Sequence, residues 1–233
     1  MIFKMRKIIL YTFIVFSLNV FSQQGKIFTE LNYNTFSHSS LSDFQEELVA
    51  DISSEINLIT TDDFPSNIGF SLGYDITDIN TAIFISYNST GAKSSYSDYS
   101  GAISLEQQLN AISFGGMYLL NLDKKDRFKL GLKGFAMFSS LDISSRSELT
   151  DQFSSSDSIS FNAFDIGIGA TLIYEYPISF LILRASLGFD LVLGGKLNFD
   201  DIDEAYLLDN SDNEVNTAWS GLRTGIGIAI PIN

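Results

Sequence analysis

Eight charged residues fall at regular places inside alternating stretches: the acids Glu30, Asp75, Asp165 and Asp190, and the bases Lys129, Lys133, Arg184 and Arg223. Successive side chains on a strand point to opposite faces. Over residues 181–193, Leu181, Leu183, Ala185, Leu187, Phe189, Leu191 and Leu193 share one face, while Ile182, Arg184, Ser186, Gly188, Asp190 and Val192 share the other. The first face is continuous hydrocarbon. The second mixes glycine and serine with opposite charges, and the other six charges stand in the same kind of company. A soluble core does not accept such a face, whereas the interior of a small membrane barrel does. Charges there must pair, because an unpaired buried charge costs far more than the pair. The chemistry that these residues offer is a salt-bridged, hydrogen-bonded interior, with a proton or ion relay as the functional alternative.

Other chemistry finds less support. The only histidine, His38, precedes Ser39 and Ser40. A nucleophile needs a base within hydrogen-bond reach and a third group to orient that base. Adjacent residues on extended chain point apart and no third member is visible, so His38 reads as a polar rim residue. Gly225-Ile226-Gly227-Ile228 lacks the following helix and further glycine of a dinucleotide loop. With no cysteine there is no thiolate chemistry, and no metal site with His/Cys ligands is expected. No cofactor and no enzyme activity are expected.

The elements that position the eight charges are eight strands, each with an outward apolar parity: 26–36 (Ile27, Thr29, Leu31 and Tyr33 out), 67–77 (Ile68, Phe70, Leu72, Tyr74 and Ile76), 81–88 (Ile83, Ile85 and Tyr87), 105–120 (Ile112, Phe114 and Tyr118), 127–139 (Phe128, Leu130, Leu132, Ala136 and Phe138), 159–174 (Phe164, Ile166, Ile168, Ala170, Leu172 and Tyr174), 179–193, and 217–232 (Leu222, Thr224, Ile226, Ile228 and Ile230). Most are long enough for a tilted strand to cross the hydrocarbon. Leu105 and Leu109 follow the opposite parity from Ile112, which suggests a β-bulge near Asn110. Inward glycines (Gly69, Gly73, Gly131, Gly167, Gly169, Gly188, Gly225 and Gly227) make room for long neighbours in an interior just wide enough to be filled by side chains.

The connections alternate between short turns (78–80, 121–126 and 175–178) and long polar loops, the layout of an outer-membrane barrel. Tyr74, Tyr118, Phe128, Tyr174 and Tyr176 lie at short-turn ends, and Tyr33, Phe36, Tyr87 and Phe138 at long-loop ends, as a membrane interface would place them. The first long loop, 37–65, carries Asp43, Glu46, Glu47, Asp51, Glu55, Asp62 and Asp63 without Lys or Arg. The last, 194–216, carries Asp200, Asp201, Asp203, Glu204, Asp209, Asp212 and Glu214 against Lys196. These acids suit solvated outer loops and could contact divalent cations, although 209–214 lacks EF-hand spacing. Leu41, Phe44, Leu48, Ile52 and Ile56 recur at helical spacing, so a short amphipathic helix is expected over 42–56, lying over the barrel mouth or on the outer leaflet.

Lys4, Arg6 and Lys7 followed by an apolar run over 8–20 read as a secretory signal, cleaved between Ser22 and Gln23. Two parts are therefore expected: a signal peptide over 1–22 and a barrel domain over 23–233. The signal holds three of the 14 Lys+Arg and none of the 28 Asp+Glu. The remainder is strongly acidic, which argues against a nucleic-acid partner.

With Phe21-Ser22-Gln23, the stretch Ile112-Ser113-Phe114-Gly115-Gly116-Met117-Tyr118-Leu119-Leu120 and the adjoining Lys124-Lys125, the chain resembles small outer-membrane β-barrel proteins of the Bacteroidota type. In strand number it is similar to the OmpA and OmpX barrels. The likeness spans most of residues 26–233, apart from a final Ile230-Pro231-Ile232-Asn233 without an aromatic. It implies an all-β fold, an eight-stranded antiparallel up-and-down transmembrane barrel in the outer membrane. The expected partners are outer-membrane lipid and the barrel-insertion machinery. The expected role is structural or surface-interacting, ahead of a narrow pore or secretion-associated barrel, a soluble secreted barrel, or a lipid-active enzyme.

Overall fold

The computed structural model describes residues 24–53, 58–149, 153–199 and 205–232. The expected signal over 1–22, the helical position Ile56, and the acids Glu55, Asp200, Asp201, Asp203 and Glu204 lie outside the described residues. The elements are β1 (Gly25–Ser37), α1 (Ser39–Ser53), β2 (Ile59–Asp63), β3 (Asn67–Ile76), a 3-10 turn (Thr77–Ile79), β4 (Thr81–Asp98), β5 (Gly101–Asn121), β6 (Phe128–Leu149), β7 (Phe153–Ile178), β8 (Leu181–Gly194), β9 (Asn198–Phe199) and β10 (Ser220–Ile232).

Eight of the strands form a closed antiparallel up-and-down ring in the order β1-β3-β4-β5-β6-β7-β8-β10. The ring closes by an unbroken ladder from Gly25↔Ile232 to Ser37↔Ser220. Closure abolishes the free edges that an open sheet would leave unpaired. At one end the strands join through tight connections: the 3-10 turn with Asn80 in the left-handed region (φ 50°), residues 122–127, and Ser179-Phe180. In the second of these, Asp123 Oδ1 accepts the backbone N–H groups of Arg127 (2.8 Å) and Phe128 (2.9 Å).

Side-chain parity sorts the wall. Leu183, Leu187 and Ile226 are 45%, 53% and 70% exposed, whereas Arg184 and Arg223 are 3% and 8% exposed. Tyr74 and Ile76 keep the outward parity, Tyr74 standing opposite Ile27 and Ile83 and Ile76 opposite Thr81, but they are covered rather than exposed. The Tyr74 ring lies across Gly25, filling the space where a Cβ would stand. The interfacial placement of Phe36 is corrected: it has inward parity and packs edge-on against Trp219, centroids 5.7 Å apart.

The bulge expected near Asn110 is absent, since the ladders run unbroken through Ser89↔Asn110 and Asn110↔Ser140. Leu105 and Leu109 face inward together with Ala111 and Ser113. What changes along β5 is the interior, which becomes apolar toward the long-loop end. There α1, starting three residues earlier than expected, lays Leu41 and Phe44 into a core with Leu109, Leu141, Phe161, Leu197, Val215 and Trp219. Gln45 Nε2 donates to Ser94 Oγ (2.6 Å), and Gln107 donates to Gln45 Oε1. A smaller apolar cluster of Phe28, Ala82, Met117, Leu119, Ile173 and Ala229 forms a second core.

The two middle long loops are strand. β4 and β5 continue to a turn at Tyr99-Ser100, and β6 and β7 pair as far as Leu149↔Phe153, which makes a ribbon beyond the apolar belt. Its outward residues are serines and charges such as Ser104, Ser144, Glu106 and Arg146, so it lacks the apolar alternation that marks the strands below. The β7–β8 turn falls at Ser179-Phe180 rather than 175–178, which leaves Glu175 on β7.

Glycine provides space at a few close approaches. A Cβ at Gly227 would stand 1.9 Å from the Thr29 carbonyl oxygen, while one at Gly134 would meet nothing within 4 Å. Gly227→Ala is expected to lower stability by about 1–3 kcal/mol through overpacking. Gly134→Ala is expected to stay within about 0.5 kcal/mol of the parent. Urea unfolding of the refolded barrel measures both.

Candidate functional site in the charged lumen

Arg184 is placed by β8 facing inward, across from Gly227 of β10 and Glu175 of β7. Gly227 adds no side chain, so the guanidinium has room to lie across the lumen. Its Nε donates to Glu30 Oε1 (2.6 Å), and its Nη1 donates to Asp75 Oδ2 and to Glu175 Oε1 (3.0 Å each). Its flat face covers the Phe28 ring, 4.1 Å from the centroid. Lys26 pairs with Glu175 and with Asp75 (3.5 Å), and Lys129 Nζ reaches Glu175 Oε2 at 3.0 Å. Three cations and three carboxylates are thus gathered from β1, β3, β6, β7 and β8. Each of these strands contributes a charge whose desolvation is offset only by the others.

A second group lies around Asp190. Lys133 Nζ is 2.8 Å from Asp190 Oδ1, and Arg223 Nε is 3.3 Å from Oδ2. Arg223 also stands over the Phe36 ring, 5.4 Å from the centroid. The structure therefore brings Glu30, Asp75, Lys129 and Arg184 together, and separately Lys133, Asp190 and Arg223.

Asp165 belongs to neither group. It accepts hydrogen bonds from Thr217 Oγ1 (3.3 Å) and Ser139 Oγ (3.4 Å). Ser139 Oγ in turn accepts Trp219 Nε1–H at 3.0 Å. Asp165 anchors the apolar plug to the wall rather than joining an ion pair.

Lys26 and Glu175 are absent from the eight charges that the sequence singles out. Lys26 shares its parity with Glu30, so alternation already places it inward. Glu175 shares parity with Asp165 and Ile173, but Pro177 beside it reads as a turn, and the strand runs on to Ile178.

The polar-rim reading of His38 is corrected. The ring is buried at 4% exposure, edge-on to Trp219 at 4.8 Å and near Phe64 at 5.8 Å. Nδ1–H donates to the Thr217 carbonyl at 2.6 Å. Burial pushes the imidazole below its ordinary pKa and so favours the neutral ring. Ser40 is engaged elsewhere, its Oγ accepting Asn216 N–H at 3.1 Å.

The lumen is unlike at its two ends. At the short-turn end a vestibule of about 360 Å³ opens between Lys26, Asp75, Lys125, Arg127, Lys129 and Glu175. At the other end α1 and the described part of the last loop pack into the apolar core. Glu47 Oε2 accepts Asn210 N–H at 2.8 Å, and Lys196 pairs with Glu214 at 2.6 Å. Asp209 Oδ1 is occupied by the N–H groups of Ser211 (2.8 Å) and Asn213 (2.7 Å). Among the described residues no group of three or more His, Asp or Glu is arranged to hold a metal ion.

No family model and no curated protein matches this chain. Solved structures with a similar course include Neisserial surface protein A (NspA), 12% identical over 88% of this chain and 96% of that one, with a TM-score of 0.44. A major outer membrane protein from Thermus thermophilus is 10% identical over 89% and 99%, with a TM-score of 0.47. Ail, the attachment invasion locus protein of Yersinia pestis, is 12% identical over 90% and 99%, with a TM-score of 0.39.

Removing Arg184 would leave Glu30 without its cation and Asp75 and Glu175 short of one. Arg184→Met is expected to cost about 3–5 kcal/mol, and adding Glu30→Gln is expected to recover part of that loss. Denaturant unfolding of the single and double variants measures the coupling.

Proposed function

We propose that this chain is an outer-membrane β-barrel without enzymatic activity, a filled scaffold that holds an acidic, ribbon-bearing face at the cell surface. The carrying observation is the outward belt of Leu, Ile, Phe and Tyr around a lumen that contains the charges. Soluble monomers rarely leave contiguous apolar patches beyond a few hundred Å², and among the described residues no element covers the belt around the closed ring. Its height fits a bilayer. From Leu183 to Leu193, β8 advances about 33 Å along the strand, or about 25 Å vertically at a tilt near 40°, which matches the apolar band of such barrels. The tight turns at one end and longer excursions at the other agree with insertion from the periplasmic side, after export on the signal over 1–22 and handling by the insertion machinery.

A structural or surface-interacting role is favoured over a pore by the plug. The apolar core around Trp219 seals the lumen above the ion pairs, and α1 is fastened through Gln45 and Glu47. A lipid-active enzyme is disfavoured because His38 spends its Nδ1 proton on Thr217 inside that plug. Contacts of the acidic loops with divalent cations remain part of the proposal as surface interactions rather than as a built site.

The expressed chain is expected to fractionate with outer membranes and to migrate faster on gels when unheated than after boiling. Planar bilayers containing it are expected to show no stable stepwise conductance. Full solubility without detergent after refolding would overturn the membrane assignment, and a sustained open channel would overturn the filled lumen.

A further inference from the structure

The two charge groups of the lumen differ in balance. Around Arg184, three cations meet three carboxylates. Around Asp190, Lys133 and Arg223 share one carboxylate. Asp165 is too far away to restore neutrality. Gly169, which packs against Asp190 and Lys133, lies four positions away on β7, about 13 Å along the strand, and the side chains of Phe135, Met137 and Trp219 belong to the apolar core at that end. In a low-dielectric interior an excess positive charge is expensive to leave without a counter-charge.

The excess borders a cavity of about 40 Å³, lined among others by Glu30, Ser71, Lys133, Arg184, Ser186 and Arg223. That is room for one monatomic ion or one or two waters. The one acid on its wall has both oxygens engaged: Glu30 Oε1 accepts from Arg184 Nε, and Oε2 accepts from Ser186 Oγ at 3.2 Å. Arg223 is less well served. Its Nε is buried and makes no hydrogen bond, although it lies 3.3 Å from Asp190 Oδ2. Ser71 Oγ accepts from Asn32 Nδ2 at 2.7 Å, which leaves its own O–H to donate.

We propose that this cavity is a binding site for a single small monovalent anion of halide size, held by Lys133 and Arg223 with help from the Ser71 hydroxyl. The ion completes the charge balance of the lumen and ties β3, β6 and β10 together. The site depends on the interior alone, so it stands or falls independently of whether the outer wall faces lipid.

The test is thermal unfolding of the purified barrel in a non-ionic detergent, with sodium chloride exchanged for sodium gluconate at constant ionic strength. Chloride is expected to raise the midpoint in a saturable way, by about 5–10 °C at a concentration a hundredfold above its dissociation constant. Bromide is expected to substitute for it and to give an anomalous diffraction peak in the cavity. Arg223→Met leaves Lys133 and Asp190 as a neutral pair. It is expected to fold in gluconate and to lose the chloride response, and Lys133→Met gives the same readout should the first variant fail to assemble. Equal midpoints in chloride, bromide and gluconate for the parent chain would overturn the proposal. So would a chloride response that persists in whichever variant folds, or bromide bound only at the surface.

Discussion

Closing eight strands into a ring leaves a lumen only as wide as the side chains that line it. Every inward residue must therefore be matched in size and charge by residues on strands far away in sequence, while every outward residue is left on the exterior. The rest of the structure follows from that division. Gly227 and Gly167 are small because the Thr29 backbone and the Phe135 ring occupy the space that a Cβ would take. Arg184 can be buried because Glu30, Asp75 and Glu175 converge on it from three other strands.

The lumen is built in two chemistries. Toward the short-turn end it is held by ion pairs and opens into a charged vestibule. Toward the long-loop end it is a conventional apolar core, with α1 as its lid and Trp219 at its centre. Within the apolar part, Asp165, Ser139, Thr217 and His38 form hydrogen bonds around the indole. The ion-paired part specifies register, since a slip of one residue would turn Arg184 outward and Leu183 inward. The apolar part supplies burial.

Period-two alternation made the ring, its strand count and the inward face legible from residues alone, because outward Leu and Ile recur against inward Gly, Ser and charge. It failed wherever the contrast between faces vanished. On the stretches 89–98, 101–104, 140–149 and 153–158 of the ribbon, serines and charges occupy the outer face, so strand reads as loop. At Leu105 and Leu109 the inner face turns apolar under α1, and a uniform register resembled a bulge. Glu175 was hidden by Pro177, and His38 by its serine neighbours. The burial of His38 depends on Trp219 and Phe64, which the fold brings to it from distant positions. Pairing partners within the lumen were likewise invisible, since alternation gives a face but not which strands stand opposite.

The chain contains no cysteine, so single cysteines carrying a nitroxide can be placed one at a time along β8 after reconstitution into lipid vesicles. Accessibility to lipid-soluble oxygen, compared with accessibility to a water-soluble nickel chelate, reports the environment at each position. Oxygen maxima are expected at 183, 185, 187, 189 and 191 and minima at 182, 186 and 192, alternating with a period of two. A flat profile, or maxima at 182, 186 and 192, would contradict an apolar wall facing hydrocarbon around a charged lumen.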